Sequence, residues 1–412
     1  MNLLIRITVL CLVIIISDVF FYKLLKCFFV RNDRQKKILK TIVLFQTVVF
    51  ILFEAGCYIV VGYPMDDPVK YRELFAPLSV FILVYVPKFF SAIFLLLYDL
   101  VVLLFSKFFR AFRNIKNTKK PAWIHYWALL VLLLVFSYCL YGFVYEKTNV
   151  KIVKVDLHFK KLPKAFDGFK IVQITDVHLG SFKNPKTIEH FINEIKGLSP
   201  DMLVMTGDMI NVSDKELDPY YSSFNGLNPP NGKYSILGNH DIGDYFKLKD
   251  PPNQAAMTKK LIAGEKKMGF IVLIDSACYI RKDGDSISLL GVNNCGTFPF
   301  KKSGNLEKTL KYARNEDFKI LLSHDPNHWT QEVCGRTNID LTLSGHTHAM
   351  QIAILTKLFR FSPSRFIYKR WCGQYEMNNQ MLYVNPGLGF SGFSARIGIR
   401  PEITLLTLHT TN

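Results

Sequence analysis

Five short segments concentrate the side chains of this chain that can hold metal ions. They read Asp176-Val177-His178, Gly207-Asp208, Gly238-Asn239-His240-Asp241, His324-Asp325 and Gly345-His346-Thr347-His348. Together they offer carboxylates, imidazoles and one amide, and no thiolate. Imidazole with carboxylate suits Mn, Fe or Zn, and the absence of Cys argues against a structural zinc site. Asp-x-His and His-x-His each set two side chains on one side of an extended segment, because strand periodicity is two. The set holds more ligands than one ion accepts. Two divalent ions bridged by a carboxylate fit the number, and such a pair neutralises phosphoryl charge and acidifies water. A lone His-x-His or Gly-Asp is an ordinary turn. Five such pieces in order, each closing an apolar stretch, are not independent accidents.

The stretches that precede them read as strands: Lys170–Thr175, Asp201–Thr206, Lys233–Leu237, Phe318–Ser323 and Ile339–Ser344. Further strands are predicted over Lys151–Phe159, Phe270–Asp275, Cys278–Arg281, Ser286–Val292, Met381–Val384 and Ile403–Leu408, and helices over Thr187–Leu198, Gln254–Met268 and Leu306–Arg314. Strands alternating with helices predict an α/β domain of two sheets or one very large sheet. In such sheets ligands gather at the carboxyl ends of the strands, where these five segments lie.

The ordered set D-x-H, G-D, G-N-H-[DE], a lone His and G-H-x-H resembles the calcineurin-like metallophosphoesterase family. The segment Asp167–Gly180 and the helical region before the domain are similar to its membrane-anchored bacterial branch, in the four-span form common among Bacteroidetes. The resemblance implies a two-sheet αββα sandwich over residues 149–412. Carried onto this sequence, it implies that Asp176, His178, Asp208 and His348 hold one metal. Asp208 then bridges to a second, completed by Asn239, His324 and His346. Mn, Zn or Fe are the implied ions, with Mg a further candidate. His240 is the implied non-ligand catalytic histidine. It touches the phosphate with Asn239 and assists the leaving group, while metal-bridging hydroxide attacks. The chain departs from the family pattern at two places. Asn211 stands where relatives carry an Asp that orients the catalytic His, which leaves Asp241 as a substitute partner for His240. Ala349-Met350 replaces a Gly-Gly pair beside the metals.

Residues 1–148 are expected to form a separate α-helical membrane domain. Four apolar runs, Leu3–Phe21, Ile42–Val61, Leu78–Phe105 and Ala122–Val144, each meet the length of about 20 residues that a spanning helix needs. The third run is long enough to be tilted or broken near Pro87. Lys23 and Lys26 follow the first run and no small-residue cleavage site does, so it reads as an uncleaved helix. The net charge of +18 is mostly a topology signal, because Lys and Arg crowd the first and third connecting loops. Those loops are then cytoplasmic. The expected localisation is the cytoplasmic membrane, multi-pass, with the catalytic domain on the extracytoplasmic side, and nucleic-acid binding becomes unnecessary. Asp18, Glu54, Lys88 and Asp99 are ionisable residues within the runs. The expectation is that they face the bundle and neutralise one another, Lys88 pairing with Asp99 or Glu54.

The remaining features are weaker. His328 could line the pocket or simply pack. Asn385-Pro386-Gly387 reads as a turn that could approach the site. The basic stretch Lys357–Arg370, with Tyr368 among its aromatics, could meet an anionic lipid surface, cover the site or lie as a solvated loop over core aromatics. Cys278, Cys295, Cys334 and Cys372 could pair or stay as buried thiols. The partners expected are a lipid bilayer and a phosphorylated substrate, itself membrane-associated or lipid. Two alternatives remain open at this stage. One is a cytoplasm-facing pyrophosphatase of the UDP-2,3-diacylglucosamine type. The other is a non-catalytic membrane receptor or scaffold with a degenerate hydrolase domain.

Overall fold

The computed structural model describes residues 3–60, 68–108, 121–244, 251–297 and 300–411. They fall into two compact units, Met1–Val61 with Leu74–Tyr141, and Gly62–Glu73 with Gly142–Asn412. The cations at 110–120, the acids Asp66 and Asp67 that informed the expected topology, and the side chains of Glu54 and Lys107 lie outside the described residues.

The first unit is helical. It is drawn from α1 (Leu3–Phe29), α2 (Asp33–Val60), α3 (Pro68–Phe108) and α4 (Ala122–Val144). Even the shortest, at 23 residues, extends about 34 Å, more than a hydrocarbon core of about 30 Å. Lys70–Phe105 and Ala122–Thr148 combine the length and apolarity needed to cross a bilayer. Helix α3 is continuous through Pro77 and Pro87, so of the two alternatives, tilt or a break near Pro87, the break is absent. Neighbouring helices in a bundle can re-satisfy the backbone groups that a proline frees.

The expected pairing of Lys88 with Asp99 is also corrected, while its alternative, Glu54, has a side chain outside the described residues. Lys88 Nζ lies 2.7 Å from Asp18 Oδ1, and both groups are buried. The other carboxylate oxygen of Asp18 accepts hydrogen bonds from Thr47 Oγ1 (2.7 Å) and Tyr85 OH (2.9 Å). One carboxylate on α1 therefore gathers groups from α2 and α3. Residues eleven apart on one helix stand about 16 Å apart along its axis, too far for a direct pair. Removing one partner of a buried pair strands the other charge. Asp18→Ala should therefore destabilise the helical unit by about 3–5 kcal/mol, with Asp18→Leu/Lys88→Met recovering most of the loss. Unfolding in detergent followed by circular dichroism measures both.

The second unit is an α/β sandwich. Its strands are β1 (Lys151–Phe159), β2 (Phe169–Ile174), β3 (Met202–Met205), β4 (Lys233–Ser235), β5 (Phe270–Val272), β6 (Ser276–Lys282) and β7 (Asp285–Gly291). They continue with β8 (Lys319–Leu322), β9 (Leu341–Ser344), β10 (Ile354–Leu355), β11 (Arg360–Phe361), β12 (Gly373–Met377), β13 (Gln380–Val384) and β14 (Glu402–Thr410). One six-stranded sheet has the order β1-β14-β2-β3-β4-β5 and the other β12-β13-β9-β8-β7-β6. The central strands β2–β5 run parallel, as do β7, β8, β9 and β13. Parallel strands are covered on both faces, which is why they read as unbroken apolar runs. Ile171, Val204 and Ile236 of one sheet meet Leu289, Ile320 and Leu343 of the other between the layers. Helix α5 (Pro185–Gly197) packs Ile188, Phe191, Ile192 and Ile195 on the outer face of the first sheet. Trp329 and Val333 cover the outer face of the second. These are the layers of an αββα sandwich.

Several elements differ from the sequence reading. The helix predicted over Leu306–Arg314 ends at Leu310. The hairpin β10–β11 is new. So is β12, joined to β13 by Asn378-Asn379, both with positive φ (54° and 57°). An Asn-Asn pair is a weaker hairpin signal than Asn-Gly, though Asn tolerates the left-handed region better than most residues.

Candidate metal centre

Five parallel strands deliver the five motifs to one place. β2 leads to Asp176 and His178, β3 to Asp208, β4 to Asn239 and His240, β8 to His324, and β9 to His346 and His348. The chain must turn sharply there. Asp176, His178, Asp208, His346 and His348 all adopt positive φ, between 46° and 71°. Such conformations cost of order 1–3 kcal/mol each and cluster where a site demands them. Glycine makes room beside them. A Cβ at Gly238 would overlap the Asp208 carboxylate, and one at Gly345 would overlap Asp176.

Eight side chains meet in a buried cluster. Possible ligand atoms of Asp176, His178 and His348 lie within 4.8 Å of one another, as do those of His178, Asp208 and His240, and those of Asp208, His324 and His346. Asp208 is common to two groups. Its Oδ2 is 3.1 Å from His324 Nε2 and 3.9 Å from His178 Nε2. Asp176 Oδ1 is 3.1 Å from His348 Nε2, and Asn239 Oδ1 is 3.2 Å from His324 Nε2. Imidazole nitrogens also face one another: His178 Nε2 and His348 Nε2 at 3.1 Å, and His324 Nε2 and His346 Nδ1 at 3.2 Å.

The outward ring nitrogens determine which lone pairs point inward. His178 Nδ1 meets the Ile210 carbonyl (3.2 Å), His324 Nδ1 the Thr206 carbonyl (2.7 Å) and His240 Nδ1 the Asn211 carbonyl (2.7 Å). A carbonyl only accepts, so each Nδ1 carries a proton and donates it. In the neutral rings of His178 and His324 the lone pair is then on Nε2, facing the cluster. His346 is oriented from the other side, its Nε2 lying 2.8 Å from Tyr368 OH and its Nδ1 turned inward. Facing lone pairs beside two carboxylates suit a cation between them. The buried Asp176 Oδ1 beside His348 Nε2 fits the same conclusion. The donor set therefore fits divalent metal ions.

Protonation in the metal-free cluster follows from the same geometry. Burial alone would raise Asp176 and Asp208. Neighbouring imidazoles outweigh it, His348 for Asp176 and His324 for Asp208, and hold both carboxylates below their usual range. Burial lowers His178, His240 and His346. Burial opposes protonation of His324 as well, but the Asp208 carboxylate overrides it and pushes His324 up to about 10. Below that value a proton occupies His324 at the position where a metal would bind. Metal and proton then compete, and affinity should rise with pH by about tenfold per unit for each proton displaced. Metal content after equilibration against a weak chelator, from about pH 6 to about pH 9, checks this. A flat profile would contradict it.

One expectation about orientation is corrected. Asp241 does not hold the His240 ring. Its carboxylate accepts backbone N–H groups of Asp208, Met209, Ile210 and Gly238, at 2.7–3.3 Å, and so clamps two ligand loops together. His240 is held by the main chain of Asn211. Glu216 in turn fixes that loop by accepting from the backbone N–H groups of Gly180, Asn211, Val212 and Ser213. The sequence reading missed Glu216, although Ser213-x-x-Glu216 is a capping-box signature. Tyr368, read from the sequence only as one aromatic of a stretch that could cover the site, does reach it, whereas Arg396 was missed. Arg396 is fully buried, donates to the carbonyls of Pro386 and Gly389, and reaches His348 Nδ1 at 3.4 Å. His328 stands apart from the cluster and packs with its Nδ1 2.8 Å from Ser323 Oγ. Asn385 is a turn residue whose Oδ1 accepts from Gly387 N–H, although Gly387 does approach Asp176 closely. Cys278, Cys295, Cys334 and Cys372 are all free thiols.

The chain is similar to known proteins. Residues 169–350 match the family model described as "Calcineurin-like phosphoesterase", and residues 1–147 match "Probable Calcineurin-like phosphoesterase, transmembrane domain". A "Transmembrane protein with metallophosphoesterase domain" of Danio rerio is 29% identical over 68% of this chain. The match spans 62% of that relative's own length. The uncharacterized metallophosphoesterase YkuE of Bacillus subtilis is 33% identical over 61% of this chain and 82% of its own. Among solved structures, the NAD nucleotidase of Haemophilus influenzae is similar over 53% of this chain and 50% of that one, with a TM-score of 0.36 and 14% identity. The sandwich, the converging Asp/His motifs, the transmembrane match and the identity to the Bacillus subtilis relative together make this chain a member of the calcineurin-like metallophosphoesterase family, a membrane protein with a metal-dependent phosphoesterase domain.

Proposed function

We propose that the cluster holds two divalent cations and hydrolyses a phosphoester or pyrophosphate carried by a membrane-associated or lipid substrate. The observation that carries this reading is the pair of ligand groups sharing Asp208, one reaching His178 and the other His324 and His346. Asp176, His178, Asp208 and His348 would form one site. Asp208, Asn239, His324 and His346 would form the other, with Mn, Zn or Fe favoured by the nitrogen-rich donors and Mg a further candidate. When bound, the pair supplies positive charge for the phosphoryl oxygens and lowers the pKa of water at the site.

The residues do the rest. Asp241 and Glu216 fix the loops on which Asp208, Asn239 and His240 ride. Asn211 O orients the His240 ring, which is proposed to donate a proton to the departing oxygen. The ring can do this only when its second nitrogen is protonated, because Nδ1–H is already given to Asn211. The side chain of Asn239 is proposed to orient the phosphate. We place the domain on the extracytoplasmic side of the cytoplasmic membrane on the strength of the loop cations.

Detergent-purified protein should hydrolyse a soluble aryl phosphodiester in the presence of Mn, Zn or Fe and not after chelation. A panel of phospholipids and lipid pyrophosphates then tests the substrate class. A reporter fused at Asn412 tests the side of the membrane. Bound metal without hydrolysis of any panel member would overturn the catalytic reading.

A further inference from the structure

The stretch between Met350 and Trp371 carries five cations, Lys357, Arg360, Arg365, Lys369 and Arg370, and no acid. It contains the β10–β11 hairpin and the turn Pro363–Phe366. Its apolar side chains face outward. Leu358 is 100% exposed, Phe366 79% and Phe359 53%, with Ile354, Leu355 and Ile367 also exposed. Phe359 stacks on Phe361, and the Arg365 guanidinium lies 5.9 Å from the Phe361 ring centroid. Each such side chain left in water forgoes about 1.5–3 kcal/mol of burial, and contiguous exposed patches of this kind mark a contact surface. A surface of only cations among aromatic and aliphatic tips is complementary to anionic lipid headgroups over acyl chains.

The hairpin is tied to the body of the α/β unit, where Ala353 N–H donates to the Ile397 carbonyl at 2.9 Å. Its other side holds the metal centre. Thr347 Oγ1 donates to the Trp371 carbonyl and Ser362 Oγ to the Ala349 carbonyl, both at 2.6 Å, and Tyr368 OH meets His346 Nε2.

We propose that residues 354–367 dock into the headgroup layer of an anionic bilayer and so hold the rim of the metal centre at the membrane surface, within reach of a phosphoester in a lipid headgroup. The docking stands on the surface itself, and only the last clause rests on the phosphoesterase reading.

The full chain is reconstituted in nanodiscs of phosphatidylcholine, with or without phosphatidylglycerol. Leu358→Trp is compared with wild type as background for the native tryptophans. Quenching of the added Trp by acyl-chain-brominated lipid should dominate over quenching by aqueous iodide in the anionic discs. Each cation removed in Lys357→Gln and Arg365→Gln should weaken docking about fivefold, equivalent to about 1 kcal/mol per charge. Iodide access as free in anionic discs as in neutral ones would overturn the proposal. Protection that follows protein concentration instead of lipid charge would assign the surface to a second copy of the chain and overturn it too. Hydrolysis of the soluble aryl phosphodiester in the same discs is read separately. Its absence with quenching intact sinks the phosphoesterase reading alone, whereas its presence without quenching sinks the docking alone.

Discussion

Asp208→Asn should cost at least about a thousandfold in kcat/KM and strip metal from the protein without unfolding it. The substitution preserves shape. Asp208 Oδ1 accepts the His240 backbone N–H at 2.9 Å, a bond the Asn amide oxygen can keep. What changes is the Oδ2 side, where a charge 3.1 Å from His324 Nε2 and 3.9 Å from His178 Nε2 becomes a neutral NH2 group. An NH2 group cannot ligate a cation, and it presents hydrogens to lone pairs that already face inward. Both proposed sites lose a ligand at once, because Asp208 belongs to both. Metal analysis of the purified variant, alongside the rate on an aryl phosphodiester and the circular dichroism spectrum, checks each part. A variant that kept full activity and full metal content would refute the shared role of Asp208.

His240→Ala should lower the rate about 10²- to 10⁴-fold while the metal stays bound. The ring is buried 4.7 Å from that of His178, close enough to reach a phosphoryl group at the cluster. Its effect should scale with the leaving group. An ester of a weakly acidic alcohol needs the proton and should suffer the full loss, whereas a nitrophenyl ester leaves as an anion and should suffer less. Burial holds His240 below its ordinary value in the metal-free protein, so the protonated, donating form grows as pH falls. The wild-type rate on the alkyl ester should therefore decline as pH rises through that pKa, and the variant should lack this limb. Equal losses on both esters, or loss of metal, would count against a proton-donating role.

The two predictions differ in how their residues were found. Asp208 and His240 are read from Gly-Asp and Gly-Asn-His-Asp at the ends of apolar runs, and the structure brings both into the cluster. The partner of His240 was not readable in that way. The absence of an Asp at position 211 suggested Asp241 as a neighbour in sequence, yet the bond runs to the Asn211 carbonyl. A main-chain oxygen leaves no mark on residue identity. Asp241 is drawn away because four backbone N–H groups converge on it, a set that exists only once the β3 and β4 loops lie side by side. Lys88 shows the same thing in the helical unit. Helical spacing offered Asp99 on the same face, but the partner was Asp18, 70 residues away on another helix.

The sequence by itself determined the order of the ligand motifs, the α/β character of the region after residue 150, and the apolar helices before it. Each is carried by a local regularity: a strand period of two, a helical period of 3.6, or a ligand pattern at a strand end. Only the tertiary structure decided which groups touch. Tyr368 reaches His346, Glu216 gathers backbone from positions 180 to 213, and Arg396 reaches His348 because sheets and crossovers bring those segments together. Packing between segments far apart in the chain depends on where whole elements settle, and no periodicity within a single element encodes that position.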